Sequence, residues 1–202
     1  MFLFKNYVPE ELSEIVFRDL SSKLDPNYLY HNLSHTKRVI KSALKIGSSY
    51  DLNNENWELL LTATLFHDYG FIESHINHEE IGVKLSNKIL LEYNYNKKQI
   101  ESINKLILAT RPLTVPKDNL ESIIIDSDLE YLGSKDFKNI SEKLKHEWIK
   151  CNEINNDEEF YKKQLTFLND HEFHTDFMKE NGNEQKEKNI IYAKKKLDDL
   201  SK

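Results

Sequence analysis

The chain has 202 residues, of which 39% are hydrophobic, and 34 acidic side chains against 28 Lys and Arg give a formal net charge of −6. That length supports one sizeable hydrophobic core rather than two domains, and an acidic chain without a basic cluster is unsuited to polynucleotide phosphates. A single cysteine, Cys151, excludes an internal disulfide and suits a reducing compartment. The longest apolar run falls well short of the roughly 18 residues that span a bilayer, so we expect a cytoplasmic protein.

Apolar residues recur at helical spacing along almost the whole chain, which predicts an all-α fold. The predicted helices cover residues 9–24, 32–50, 55–68, 78–93, 97–110, 120–132, 136–151, 158–177 and 184–200. The β-branched run "ESIIIDSD" would suit a strand, but a lone strand has no pairing partner, so we assign it to a buried helix. Two stretches without apolar periodicity, 113–119 and 179–187, are predicted to be irregular or mobile.

The first unusual pattern is a pair of histidines four residues apart in "YHNLSH". On a helix that begins near Asn32, His35 shares a face with Val39 and Ala43, so its side chain points into the core. A single inward histidine is more often a hydrogen-bonded core residue than a metal ligand. His35 is therefore a candidate ligand only if other suitable side chains accompany it.

Two further apolar segments supply such side chains. His67 and Asp68 end the stretch "LLLTATLFHD", and Asp126 and Asp128 follow three isoleucines in "IIIDSD". An ionised carboxylate beside so apolar a segment is costly unless it is paired, hydrogen-bonded or bound to a metal. Imidazole and carboxylate together suit Zn, Mn, Fe, Co or Ni, although each cluster alone also fits a helix cap or a buried salt bridge.

The order of a histidine, a His-Asp pair and a later aspartate resembles the HD superfamily of metal-dependent phosphohydrolases. The motif "YHNLSH" is also similar to the signature of cyclic-nucleotide phosphodiesterases, which are distant members of that group. The succession "YHNLSH", "FHDYGF", "NHEEIG", "ILATR" and "DSDLEYLG" is similar to a bacterial family of predicted HD phosphohydrolases. The resemblance covers roughly residues 28–170 and implies one HD-type helical bundle over 1–202, with the N- and C-terminal helices packed on it.

The resemblance also implies roles for individual residues. His35, His67 and Asp68 would ligate a metal ion together with one later aspartate. Asp128 is preferred, because "SDLEYL" is similar to the phosphodiesterase segment in which Leu directly follows the metal-binding aspartate, and Asp126 remains the alternative.

His31 would correspond to the general acid that protonates the leaving oxygen. A histidine that caps the second helix is an equally good interpretation.

His78 stands where some HD enzymes bind a second metal, and Glu79 could orient or deprotonate a water molecule. The structural alternative is a helix start, with Asn77 as N-cap and acidic side chains stabilising the first turn. Where two-metal HD proteins commonly carry another histidine, this chain reads "LATRPL", and a guanidinium cannot ligate a metal. The sequence therefore favours one tightly bound ion.

Three side chains are candidates for binding the substrate. Arg111 could bind a phosphate bidentately, Asn32 belongs to "YHNLSH", and Lys145 in "KHEWIK" is long enough to reach a phosphate. A surface ion pair, a helix N-cap and a solvated helix face are the respective alternatives. His171 and His174 have a spacing compatible with metal binding, but we assign them to the surface.

Together these residues predict a metal-dependent phosphohydrolase that cleaves a phosphoester of a small metabolite, preferably a nucleotide, with metal-activated water. The cofactor would be one divalent ion, namely Zn, Mn, Fe, Co, Ni or Mg. The expected partner is the small phosphorylated substrate, with no polynucleotide and no membrane, and the sequence is compatible with a homodimer. The alternatives are a non-catalytic nucleotide- or metal-sensing module and a di-iron HD oxygenase, which needs a complete second metal site.

Overall fold

A computed structural model describes residues 4–200, and over this range the backbone forms nine α-helices and no strand. The α-helices are Glu10–Ser22 (α1), Leu33–Gly47 (α2), Asn54–Phe66 (α3), His78–Glu92 (α4), Lys97–Ala109 (α5), Asn119–Asp128 (α6), Phe137–Lys150 (α7), Asp157–Asp170 (α8) and Asp176–Leu200 (α9). Short 3₁₀ turns span Phe4–Asn6, Tyr69–Ile72 and Glu130–Gly133. The predicted all-α class is confirmed. Across the same residues, no helix combines the length and apolar character needed to cross a membrane.

Helix α3 lies among α2, α4, α5 and α6 because it is apolar on every side. Every residue from Leu59 to Phe66 is buried, and a helix without a polar face must be surrounded by other elements. The chain leaves α3 directly into His67 and Asp68, so both side chains start from the interior. The apolar sequence of α3 thus places an imidazole and a carboxylate in the interior of the protein.

The turn after α3 packs closely on α4 at Gly70. A Cβ atom on Gly70 would lie 1.9 Å from the backbone oxygen of His78, a distance that no side chain tolerates. Glycine therefore allows the turn and the first residue of α4 to approach each other. As a result, His78 lies beside Asp68, which precedes the same turn.

The predicted helix over 158–177 is wrong, because α8 ends at Asp170 and α9 begins only at Asp176. The intervening segment is held by Asp126. Its carboxylate accepts hydrogen bonds from the backbone N–H groups of His174 and Thr175 at 3.0 and 2.7 Å, and from the Thr175 hydroxyl at 2.6 Å. A contact over 48 residues interrupts the helix, and local periodicity contains no sign of it.

The predicted irregular stretch 179–187 is also wrong, since it lies inside α9. The buried residues of this helix follow helical spacing but are mostly not large and apolar: Met178, Gly182, Lys186, Asn189 and Ala193. The helix crosses the 3₁₀ turn so closely that a Cβ on Gly133 would lie 2.8 Å from the Gly182 Cα. Small and polar side chains thus permit a tight contact that apolar periodicity does not detect.

Candidate metal centre

Four predicted ligands converge between α2, the end of α3 and the end of α6. The Nε2 atom of His35 is 3.2 Å from His67 Nε2, 3.1 Å from Asp68 Oδ2 and 3.0 Å from Asp128 Oδ1. The Nε2 atom of His67 lies 3.3 and 3.6 Å from the same two carboxylate oxygens. Two imidazole nitrogens and two carboxylates therefore face one common point.

These separations fit the edges of a coordination sphere. A cation with bonds of about 2.1 Å places neighbouring ligand atoms about 3.4 Å apart in tetrahedral geometry and about 3.0 Å apart in octahedral geometry. His35, His67 and Asp128 each offer a donor atom, all within 4.8 Å of one another. The Oδ2 atom of Asp68 is buried and has no hydrogen-bond partner, which is costly unless a cation neutralises it. The donor set therefore fits a divalent metal ion.

The electrostatics of the cluster agree with this assignment. Burial lowers the pKa of His67, yet the Asp68 and Asp128 carboxylates outweigh it and raise that pKa well above its usual value. Burial likewise opposes the charge on the two carboxylates, but the histidines lower the pKa of Asp68 and of Asp128. The cluster thus attracts positive charge, and a metal ion that binds must displace a proton from imidazole.

The outer nitrogens of the two histidines have different partners. The Nδ1 atom of His67 lies 2.8 Å from the Thr64 carbonyl oxygen, so Nδ1 donates and Nε2 is left with the lone pair that a metal needs. The Nδ1 atom of His35 lies 2.7 Å from the Arg38 guanidinium, which can only donate. A neutral imidazole has one lone pair, so metal binding at His35 Nε2 requires the Arg38 guanidinium to leave Nδ1 and a proton to take its place.

The two aspartates of "DSD" are used differently. Asp128 belongs to the cluster, whereas Asp126 is fully buried and binds the segment between α8 and α9. Residues two apart on a helix do not face the same way. The geometry therefore brings Asp128, and not Asp126, to the candidate metal centre.

A second polar group borders the centre on the side of α4. The Nε2 atom of His78 is 3.7 Å from Asp68 Oδ1 and 3.5 Å from Glu79 Oε1. Asp68 thus directs Oδ2 to the two histidines and Oδ1 to His78. Both His78 and the largely buried Glu79 line a cavity that opens from the centre.

His31 lines the same cavity and is held firmly by Glu147, a residue of α7. One carboxylate oxygen of Glu147 accepts the backbone N–H groups of Tyr30 and His31 at 2.7 and 3.0 Å, and the other contacts His31 Nδ1. The ring of His31 stacks on Phe71 with centroids 4.3 Å apart, and it lies 5.7 Å from the His35 ring. Burial lowers the pKa of His31, but Glu147 outweighs it and raises that pKa above its usual value.

The three predicted substrate-binding side chains are occupied elsewhere. Arg111 pairs with Glu80 at the surface. The Asn32 side chain caps α2 by accepting the N–H groups of Ser34 and His35. The Lys145 ammonium is bound by carboxylates, at 2.7 Å from Asp157 and 2.8 Å from Glu142. None of these three lines the cavity beside the candidate metal centre. The alternatives named for Arg111 and Asn32 match their placement, whereas the solvated helix face expected for Lys145 is wrong, because Lys145 is buried.

Two residues that line or support the cavity were missed in the sequence. Glu147 is in phase with Ile140 and Leu144 on the buried face of α7, and Gln164 is in phase with Phe160 and Leu168 on α8. A polar side chain on an apolar stripe was the available signal. The sequence alone does not distinguish such a residue from one that bonds within the core.

The predicted surface position of His171 is wrong, because its side chain is buried between Phe167 and Phe173. Both ring nitrogens lack a hydrogen-bond partner. Burial, with the charges of Lys186 and His174, lowers the pKa of His171 to about 3. The imidazole is therefore held neutral in the folded protein.

We expect acid to destabilise the protein through His171. Its folded-state pKa of about 3 lies below the ordinary 6.5, so the unfolded chain binds the extra proton. The stability that depends on neutral His171 is complete above pH 6.5. It is lost as the pH falls toward 3, at up to about 1.4 kcal/mol per pH unit. The variant His171→Leu should have a flatter dependence of unfolding free energy on pH, measured by urea denaturation. The same change at exposed His146 should keep the wild-type slope, and an unaltered slope in His171→Leu would contradict this assignment.

The fold and the cluster define an all-α domain with a His, His-Asp, Asp constellation suited to a divalent metal. Residues 32–129 match the family model of the HD domain. The fold is similar to the crystal structure of a predicted HD superfamily hydrolase from an uncultured Thermotogales bacterium. The TM-score is 0.53 at 23% sequence identity, over 65% of this chain and 73% of that one. No curated protein matches the sequence. Over residues 32–129, just under half of its length, the chain is therefore similar to the HD domain.

Proposed function

We propose that this protein is a metal-dependent phosphohydrolase acting on a small phosphorylated metabolite, with a nucleotide as the favoured substrate. One observation carries the proposal. His31, which a buried glutamate (Glu147) holds at Nδ1, lines the same cavity as Asp68 and Asp128, the two carboxylates of the candidate metal centre. A metal-binding cluster alone would also suit a sensor, whereas an oriented acid beside it is what bond cleavage needs.

When bound, a divalent cation would neutralise phosphoryl oxygens and lower the pKa of a coordinated water molecule. His31 has the role of general acid. Because Glu147 engages Nδ1, the proton on Nε2 is the one available to the leaving oxygen. The negative charge of Glu147 stabilises the imidazolium until that proton is transferred. Glu79 lies on the cavity wall and is assigned to accept the proton of the attacking water.

We propose that the active protein holds one tightly bound metal ion. Among residues 4–200, the group with metal-binding spacing is His35, His67 and Asp128. The Nε2 atom of His78 lies 3.7 Å from Asp68 Oδ1 and 3.5 Å from Glu79 Oε1, and in this proposal His78 borders the substrate. Zn, Mn, Fe, Co, Ni and Mg are all compatible with the nitrogen and oxygen ligands.

Removal of the metal tests the proposed function directly. The protein as purified is expected to contain about one divalent ion per chain, and dialysis against a chelator should abolish both phosphate release from nucleotides and cleavage of mononucleotide diesters to monoesters. Restoring each of the six metals separately should recover activity with at least one of them. Hydrolysis that survives chelation, or a reconstituted protein that hydrolyses none of these substrates, would overturn the proposal.

A further inference from the structure

The cavity beside the candidate metal centre has a volume of about 350 Å³. Its inner end is formed by Asp68 and Asp128, and its outer wall by side chains of α7 and α8. Volumes of this size accommodate a small organic ligand. A phosphate at the metal centre therefore leaves the outer part of the cavity for the rest of the molecule.

The outer wall is apolar and aromatic. Leu144 and Trp148 of α7 and Phe160 and Phe167 of α8 line this part of the cavity, and the rings of Trp148 and Phe160 are in edge contact with centroids 5.6 Å apart. Among the described residues, Lys163 is the one lysine or arginine on this wall. Its ammonium donates to the Glu153 carbonyl at 2.9 Å and lies 3.2 Å from the Glu159 carboxylate. Aromatic walls without a free charge suit a planar, uncharged group.

Gln164 adds one polar atom to this wall. Its side chain is 5% exposed, and its Nε2 atom donates to the Ser141 hydroxyl at 2.8 Å. Its Oε1 atom is buried and has no hydrogen-bond partner. A buried carbonyl oxygen without a donor is unfavourable. Because Gln164 lines the cavity, a ligand is well placed to supply the missing donor, while Ser141 fixes the orientation of the amide.

We infer that Gln164 determines substrate specificity by accepting a hydrogen bond from a planar, uncharged part of the leaving group that lies against the aromatic side chains of α7 and α8. The inference rests on the proposed function, since it places the phosphate at the metal centre. The ligand class is a phosphoester whose leaving group contains a heteroaromatic ring with an N–H or O–H donor. A nucleotide whose base has an exocyclic amine or a ring N–H belongs to this class.

Two isosteric esters test the donor requirement. Indol-4-yl phosphate offers an N–H group, and benzofuran-4-yl phosphate has an oxygen acceptor in its place. With the metal-loaded protein, kcat/KM for the indolyl ester should exceed that for the benzofuranyl ester by about fivefold to tenfold, the worth of one hydrogen bond. In Gln164→Leu this ratio should fall to about one. The matched control is Asn169→Leu, an exposed amide on the same helix, and it should keep the wild-type ratio.

A binding measurement on the wild-type protein makes the test independent of turnover and of how well the variant folds. Calorimetric titration should give tighter binding of 4-methoxyindole than of 4-methoxybenzofuran, with or without metal, because neither probe carries a hydroxyl donor. If that preference exists but no ester is hydrolysed, the proposed function fails and the Gln164 site stands. Equal binding together with equal hydrolysis of both esters overturns the Gln164 site and leaves the hydrolase intact. A preference for benzofuran also overturns it, because the amide would then present its donor.

Discussion

The variant Asp128→Asn is expected to lower the affinity for divalent metal at least about hundredfold and to abolish metal-dependent phosphate release, because a neutral amide replaces a charged ligand. The variant Asp126→Asn, two residues away, is expected to keep the metal and to lose about 2 kcal/mol of unfolding free energy. The difference follows from geometry. The Oδ1 atom of Asp128 lies 3.0 Å from His35 Nε2, whereas Asp126 binds the backbone and hydroxyl of Thr175.

The two aspartate variants serve as controls for each other. Metal content after exhaustive dialysis gives the ligand loss, and urea denaturation in metal-free buffer gives the stability loss. In metal-free buffer, Asp128→Asn loses the ion pairs that Asp128 makes with His35 and His67. Apart from that loss, the variant should be at least as stable as the wild type. If folded Asp126→Asn loses the metal while Asp128→Asn retains it, the ligand assignment is reversed.

Replacement of His31 by Gln should decrease kcat by about 10²–10⁴-fold for substrates with alkoxide leaving groups, without changing the metal content. The decrease should be much smaller for a 4-nitrophenyl ester, because 4-nitrophenolate leaves without protonation. Glu147→Gln keeps a side chain of the same shape but removes the charge that raises the pKa of His31. A general acid acts only while it is protonated, so the alkaline fall of the pH–rate profile should move to lower pH in Glu147→Gln.

Steady-state kinetics with the two ester types, combined with metal analysis, decide this prediction. His146→Gln changes an exposed histidine on the same helix as Glu147 and should behave like the wild type. An equal loss of activity with both leaving groups, or a loss of bound metal in His31→Gln, would show that His31 does not protonate the leaving oxygen.

The elements that apolar periodicity predicted well are those that pack through apolar side chains. Helix α3, Asn54–Phe66, agrees with the predicted 55–68 to within two residues at either end, because every residue from Leu59 to Phe66 is buried. Helix α9 was only partly predicted, since Gly182, Lys186 and Asn189 on its buried face carry no apolar signal. The break before it depends on Asp126, which is distant in sequence.

The residues of the candidate site likewise divide into those that the sequence predicted and those that it did not. The histidines and aspartates of the cluster stood out because each interrupts an apolar segment, where an unpaired polar group is costly. Glu147 and Gln164 also lie on apolar faces, but their partners come from other parts of the chain, at a separation of 116 residues for Glu147 and His31. Arg111 had a chemically suitable side chain, and only the fold shows that Glu80 engages it.

The "DSD" segment at the end of α6 has a thermodynamic consequence for the C-terminal helix. Asp126 anchors the start of α9, while Asp128 faces the candidate centre, so one helical turn serves both. Linkage is reciprocal: an ion that favours the native end of α6 must also favour attachment of α9. Hydrogen exchange of the α9 amides should therefore slow when metal is added. Detachment of that helix should in turn speed release of the ion.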